Sequence, residues 1–137
     1  MLNEAVIDGI TIAGQPTDEE LARLAARGYH TVVNNRPQSE QAEPEAPKIP
    51  DGVRYCEVAF TAPTLNAQHV AAVAEAIESS EGPVLVHCAG GTRAAVVVAA
   101  AQAERRGLAA DAALEMVRSA GFDPAGPYEA FLRRYLG

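Results

Sequence analysis

The sequence predicts a three-layer α/β domain with a mainly parallel central sheet. Three observations predict it. Short β-branched runs alternate with longer runs of helical period, the pattern of strands joined by crossover helices. The segment Val84-Leu85-Val86 is apolar without alternation, as in a strand covered on both faces. The 137 residues are 48% apolar and 21% charged, enough for a core that buries roughly two-thirds of the unfolded surface. No linker or shift of composition divides them, so residues 1–137 read as one domain.

Each element has a local reason. Ile10-Thr11-Ile12-Ala13 reads as a strand, ended by the turn Gly14-Gln15-Pro16. Thr17-Asp18-Glu19-Glu20 fits a capping box, with Thr17 as N-cap and Glu20 reaching back to it. Leu21, Leu24 and Ala25 supply the apolar stripe of the helix that follows, and Gly28 its stop. Thr31-Val32-Val33-Asn34-Asn35 is a second strand. From Arg36 to Gly52 lie four prolines and three glutamates, an irregular segment of a length that is often functional. Val53 to Phe60 reads as a strand. Ala67 to Ser79 reads as a helix with Val70, Val73, Ala74 and Ile77 on one face. Gly82-Pro83 breaks it, and Val84 to His87 forms the buried strand. Cys88 to Thr92 is a Gly-rich turn. Arg93 opens an Ala/Val helix that runs to about Arg106 and stops at Gly107. Ala110 to Ala120 and Tyr128 to Leu136 read as two further helices.

Composition excludes several function classes. The net charge of −7, with no local basic patch, argues against nucleic acid and anionic membrane as partners. The longest apolar run, Ala94 to Ala101, has eight residues, against the ~20 that a membrane span needs. The first residues lack the basic start and apolar stretch of a signal peptide, so a cytoplasmic address is expected. Cys56 and Cys88 are too few for a disulfide scaffold, and no Cys, His or carboxylate cluster has ligand spacing, so neither metal nor other cofactor is expected. Oligomeric state leaves no mark in the sequence.

The chemistry is concentrated in Val84-Leu85-Val86-His87-Cys88-Ala89-Gly90-Gly91-Thr92-Arg93. A buried strand delivers Cys88 to its carboxyl end, where open α/β sheets place their ligands. The turn of Ala89, Gly90, Gly91 and Thr92 lets backbone N–H groups point inward around one centre. The following helix aims its positive N-terminal end at the same point, and Arg93 can swing its guanidinium over the mouth. These features make an anion cradle with a sulfur at its base, and the same field favours the thiolate form of Cys88.

His-Cys followed by a Gly-containing loop and Arg resembles the active-site loops of cysteine-dependent phosphatases and rhodaneses. Together with Gly14-Gln15-Pro16, Gly28-Tyr29 and Asn34-Asn35-Arg36-Pro37 with Glu40, it resembles the bacterial beta-lactamase-hydrolase-like "phosphatase-like" family over residues 5–121. The resemblance implies a tyrosine/dual-specificity-phosphatase-like fold, Cys88 as nucleophile, and either phosphatase or sulfurtransferase activity. Loops of this kind commonly carry a basic residue after the Cys and a Ser or Thr after the Arg. This chain has Ala89 and Ala94, one charge and one hydroxyl fewer.

Two comparisons with such enzymes put sulfur transfer first. Tyrosine phosphatases of the resembled kind place five residues between Cys and Arg, whereas four intervene here, as in rhodaneses. They also use an Asp general acid on the loop after the preceding strand. That loop, Thr61-Ala62-Pro63-Thr64-Leu65-Asn66, has no carboxylate. The leading expectation is therefore a sulfurtransferase that moves sulfane sulfur from thiosulfate or a persulfide to a thiol such as glutathione through Cys88-persulfide. The alternative is a phosphatase acting on a phosphate ester through Cys88-phosphate, with Glu43 or Glu45 as acid if the long segment folds over the mouth. A third reading is a non-catalytic oxyanion-binding module.

Supporting roles follow from position. His87 either orients the loop or tunes Cys88, as the resemblance implies for the residue before the nucleophile, or is a strand-end histidine with satisfied hydrogen bonds. Arg36 either binds the substrate's anionic end or, as the simpler reading, pins the long segment through Glu40. Thr92 either caps the helix or touches the anion. Cys56 reads as a small strand hydrophobe in preference to a resolving thiol.

Overall fold

Side chains alternate across a strand, and this period sorts the apolar residues of the sheet onto two faces. The computed structural model describes residues 1–137 and contains five strands: β1 (Ala5–Ile7), β2 (Ile10–Ala13), β3 (Thr31–Asn34), β4 (Arg54–Glu57) and β5 (Val84–His87). They form one sheet in the order β1-β2-β5-β3-β4. β5 runs parallel to β2 and β3, β4 parallel to β3, and only the edge strand β1 is antiparallel. The sheet is mainly parallel, as the sequence predicts.

Ile12, Val33, Val84 and Val86 face the larger core, which also receives side chains of α2 (Ala67–Glu78), α3 (Thr92–Arg105), α4 (Ala110–Ser119) and α5 (Pro127–Leu136). Ala13, Val32 and Leu85 face a smaller core with Leu21 of α1 (Asp18–Ala22), Leu24 and Tyr29. The result is three layers. Each fully buried Val or Leu contributes roughly 1.5–3 kcal/mol, so both faces of β5 are strongly specified. α3 is buried on all sides from Ala94 to Ala101, the expected fate of a helix apolar all round. It is neither long nor apolar enough to cross a membrane, nor is any other helix.

Three elements differ from the sequence reading. β1 is additional, joined to β2 by Asp8 and Gly9 at φ 51° and 83°, the left-handed pair that a tight hairpin requires. α1 has the capping box (Glu20 N–H to Thr17 Oγ1 3.1 Å, Thr17 N–H to Glu20 Oε1 2.9 Å), yet its regular part ends at Ala22. Beyond it Arg23 and Leu24 donate to Glu20 and Leu21, so the helix tightens into successive turns up to Gly28. β4 stops at Glu57 because Asn35 reaches across and donates Nδ2–H to the Val58 carbonyl at 3.0 Å, after which Phe60 pairs with Asn35 out of register.

Candidate active site

The carboxyl end of β5 sits between β2 and β3, so the residues that follow it emerge at the middle of the sheet. The Cys88 N–H still bonds the Ala13 carbonyl at 3.2 Å, and the chain then leaves the sheet. Two contacts turn the loop's carbonyls outward. The Gln15 N–H donates to Ala89 O at 2.9 Å, and Asn3 Nδ2 donates to Gly90 O at 2.9 Å. With these carbonyls engaged, one amide of the loop points at the sulfur: the Gly91 N–H donates to Cys88 Sγ at 3.1 Å. The Ala89, Gly90, Thr92 and Arg93 amides make no backbone bond, and the first helical bond runs from Ala95 N–H to Gly91 O at 2.9 Å. Gly91 is the N-cap of α3 at φ 107°, a left-handed conformation suited to glycine. Thr92 is consequently the first helical residue and does not cap α3 with its side chain.

Cys88 is 1% exposed and lies at the floor of this loop. Arg93 crosses above and is held by Glu40 in a two-pronged pair, Nη1 to Oε2 at 2.9 Å and Nη2 to Oε1 at 2.8 Å. Its Nη1 also donates to the Phe60 carbonyl at 3.2 Å. The Arg93 hydrogen bonds are the main reason that Glu40 is held below the usual carboxylate range. Arg36 takes the other side of the same segment, with Nη2 to the Glu40 carbonyl at 2.6 Å and Nη1 to Gln15 Oε1 at 3.0 Å. Arg36 thus ties the 36–52 segment to the β2–α1 turn, and a polar cleft of about 390 Å³ opens beside it.

On the opposite face of β5 lies a contact that sequence reasoning missed. Glu45, 2% exposed, accepts from Gln15 Nε2 at 2.7 Å, and its second oxygen is 2.7 Å from His87 Nε2. The other ring nitrogen, Nδ1, lies 3.4 Å from the Cys88 carbonyl oxygen. Burial pushes Glu45 up, but the His87 hydrogen bond and charge, with Gln15 and Arg36, outweigh it and hold the carboxyl below its ordinary range. Glu45 is therefore a carboxylate beneath the strand, not an acid over the mouth. Glu43 is exposed and pairs with Lys48 at 3.5 Å. The segment Thr61–Asn66 forms a short turn capped by Thr61 and Thr64 and presents no carboxylate. Cys56 lies on β4 and packs against the larger core, separated from Cys88 by β3.

The only signal for the Glu45 contact was a glutamate among prolines. An irregular segment has no period from which to read a facing direction.

The family described as "Beta-lactamase hydrolase-like protein, phosphatase-like domain" matches residues 4–105. A beta-lactamase hydrolase-like protein of Agrobacterium fabrum is 32% identical over 91 residues, covering 62% of this chain and 21% of that protein. One from Xylella fastidiosa (strain Temecula1) is 31% identical over 121 residues, covering 83% and 28%. The chain thus spans less than a third of the length of the curated relatives it matches. Among solved structures, Tk-PTP in its active form superposes with TM-score 0.79 at 25% identity, covering 97% of this chain and 95% of that one. A variant of P. aeruginosa TpbA in complex with phosphotyrosine superposes with TM-score 0.71 at 22% identity, covering 90% and 78%.

Proposed function

Because the chain belongs to the family of phosphatase-like domains of beta-lactamase hydrolase-like proteins, we propose that residues 1–137 are one phosphatase-like unit using Cys88 as nucleophile on a phosphate ester. The spacing and the missing loop acid put sulfur transfer first; the phosphatase likeness of the structural neighbours favours the phosphatase instead. The observation that carries the reading is the Gly91 N–H on Cys88 Sγ together with the Ala89, Gly90, Thr92 and Arg93 amides left without backbone partners, with the Arg93 side chain and the start of α3 beside them. Donors in that arrangement match the oxygens of a phosphoryl group better than any neutral ligand.

The Cys88 thiolate attacks phosphorus, the P–O bond to the alcohol breaks, and a Cys88-phosphate forms. Water then attacks phosphorus, releases inorganic phosphate and restores the thiolate. With Glu40 and Glu45 both held as carboxylates, no carboxylic acid is at hand to protonate the leaving oxygen. The proposed substrates are therefore aryl phosphates, phosphotyrosine included, whose phenolate leaves without such help.

Sulfur transfer remains a second reading because two observations favour it: only four residues separate Cys88 from Arg93, and the 61–66 turn carries no acid. In that case Cys88 attacks the sulfane sulfur of thiosulfate, the S–S bond breaks, sulfite leaves, and a glutathione thiolate takes the outer sulfur of Cys88-persulfide. One experiment separates the two. Native protein and Cys88→Ser are assayed on p-nitrophenyl phosphate, and both are weighed intact after brief thiosulfate treatment. The phosphatase reading expects hydrolysis by the native chain, lost by at least about 100-fold in Cys88→Ser. Absent hydrolysis, with one sulfur atom gained by the native chain alone and removed by glutathione, overturns it for sulfur transfer. Neither result on the native chain leaves oxyanion binding without turnover.

A further inference from the structure

The last helix returns to the Cys88 loop and adds a wall to its mouth. α3, α4 and α5 pack together as successive antiparallel helices, and the Ala110 N–H at the start of α4 bonds the Gly137 carbonyl after the end of α5 at 3.1 Å. The start of α5 therefore lies at the end of the bundle where α3 begins. The connection from α4 lays the Phe122 ring against Gly91, 2.7 Å from where a methyl at that glycine would sit. Within α5, Tyr128, Phe131 and Tyr135 share one face by helical period. Phe131 and Tyr135 stack with ring centroids 5.3 Å apart and line a groove with Leu65, Asn66 and Ala67. One turn before Phe131, Tyr128 carries this face past the 61–66 turn toward Arg93, which the same side of the mouth holds through the Phe60 carbonyl at 3.2 Å.

The Tyr128 ring is half-buried against the larger core, and its hydroxyl has no hydrogen-bond partner in the chain. Burial is the main reason that the phenol is held above its ordinary range. The charges that reach it are those of the site: Arg93 pulls it down, while Cys88 and Glu40 push it up. A neutral, unspent donor thus stands beside the nucleophile, on the side where the 61–66 turn offers no acid.

We propose that Tyr128 is a further catalytic residue, whose hydroxyl donates a hydrogen bond to the bridging oxygen of an aryl phosphate as the P–O bond breaks. The proposal rests on the phosphatase reading and deepens it. Cys88 sulfur bonds to phosphorus, the electron pair of the P–O bond passes to the phenolate oxygen, and the hydrogen bond strengthens as that oxygen gains charge. Tyr128 keeps its proton, and the phenolate leaves as an anion. The gain is largest for the least stable phenolates, so Tyr128 widens the range of aryl esters that the site can cleave without a carboxylic acid.

The test compares the native chain with Tyr128→Phe on phenyl phosphate and p-nitrophenyl phosphate. The readout is kcat/KM, which covers the steps up to loss of the phenolate and not the later attack of water. Tyr128→Phe keeps the ring and its packing, so the thermal midpoint and the iodoacetamide alkylation rate of Cys88 are expected to match the native values. Phenyl phosphate is expected to slow about tenfold, a factor worth ~1.4 kcal/mol. p-Nitrophenyl phosphate, whose phenolate is the more stable, is expected to slow about threefold or less. With hydrolysis by the native chain in hand, equal slowing on the two esters overturns the proposal alone, as does no slowing on either. So does a loss of Cys88 alkylation that parallels the loss of turnover, since Tyr128 would then act through the thiol and not on the substrate. Failure of the native chain to cleave either ester overturns the phosphatase reading itself, and the proposal falls with it.

Discussion

A methyl group at position 14 would sit 2.7 Å from the Ala89 carbonyl oxygen and 2.9 Å from Leu2 Cδ2. The Leu2 side chain is exposed and can move, but the carbonyl belongs to the Cys88 loop and is pinned by the Gln15 N–H. Gly14 is thus required by close approach, and its place in the Gly14-Gln15-Pro16 turn has a physical cause. Gly14→Ala is expected to cost about 1–3 kcal/mol in urea unfolding, the usual range for overpacking. It is also expected to slow Cys88 alkylation by misplacing the loop. Gly90→Ala is the matched control: position 90 has open space around an added methyl and no left-handed φ, and its effect is expected within about 0.5 kcal/mol. Equal effects at the two positions would contradict the argument. At this scale the sequence was informative wherever the chemistry is contiguous. Cys88, Gly91 and Arg93 lie within one strand, turn and helix start, and their geometry follows from local rules. Glu45 was not legible as the His87 partner, because 42 residues separate them and an irregular segment must be folded before its inward side chains are known.

Among the elements, α3 was the most legible and is the least tolerant. Its run of alanines and valines has no polar face, and the structure surrounds it with the sheet, α2, α4 and α5. Small side chains let these neighbours approach closely, so added volume has nowhere to go. Ala99 and Ala100 are fully buried. Ala99→Leu is expected to destabilise by about 1–3 kcal/mol or more, read as a lower urea midpoint with an unchanged slope. A midpoint equal to the native one would mean that α3 packs more loosely than its burial implies. β1 escaped the sequence reading for the opposite reason. Three residues are too few for a periodic signal, and the Asp8-Gly9 turn was the sole trace of the hairpin. Asp8 also accepts from Gln102 at 2.9 Å and from Arg105 and Arg106 at 3.2 and 3.3 Å. The turn that makes β1 therefore also anchors the far end of α3.

For the molecule as a whole, two electrostatic effects oppose one another as pH falls. With a net charge of −7 near neutrality and a pI near 4.9, acidification toward pH 5 removes self-repulsion and by itself favours the folded state. Against this stand Glu20, Glu40 and Glu45, each held below the ordinary carboxylate range in the fold. Groups of this kind add stability that is complete above their unfolded value of 4.5 and is lost as pH falls through the folded value. Glu20 and Glu40 are about one-third exposed, so salt screens their pairs, whereas the Glu45–His87 pair is buried and is not screened in the same way. Urea midpoints are accordingly expected to hold or rise slightly from pH 7 to about 5 and to fall below about 4.5. The fall should persist in roughly 1 M salt, where the Debye length is near 3 Å. Replacing both members of the buried pair, Glu45→Gln with His87→Gln, should make the acid limb shallower by up to one proton, about 1.4 kcal/mol per pH unit. A midpoint that keeps rising below pH 4.5 would mean that overall charge balance governs stability. An acid limb abolished by salt would assign it to the exposed pairs of Glu20 and Glu40. A salt-resistant limb that flattens in the double variant traces the acid sensitivity of the whole fold to the carboxylate beneath its active-site strand.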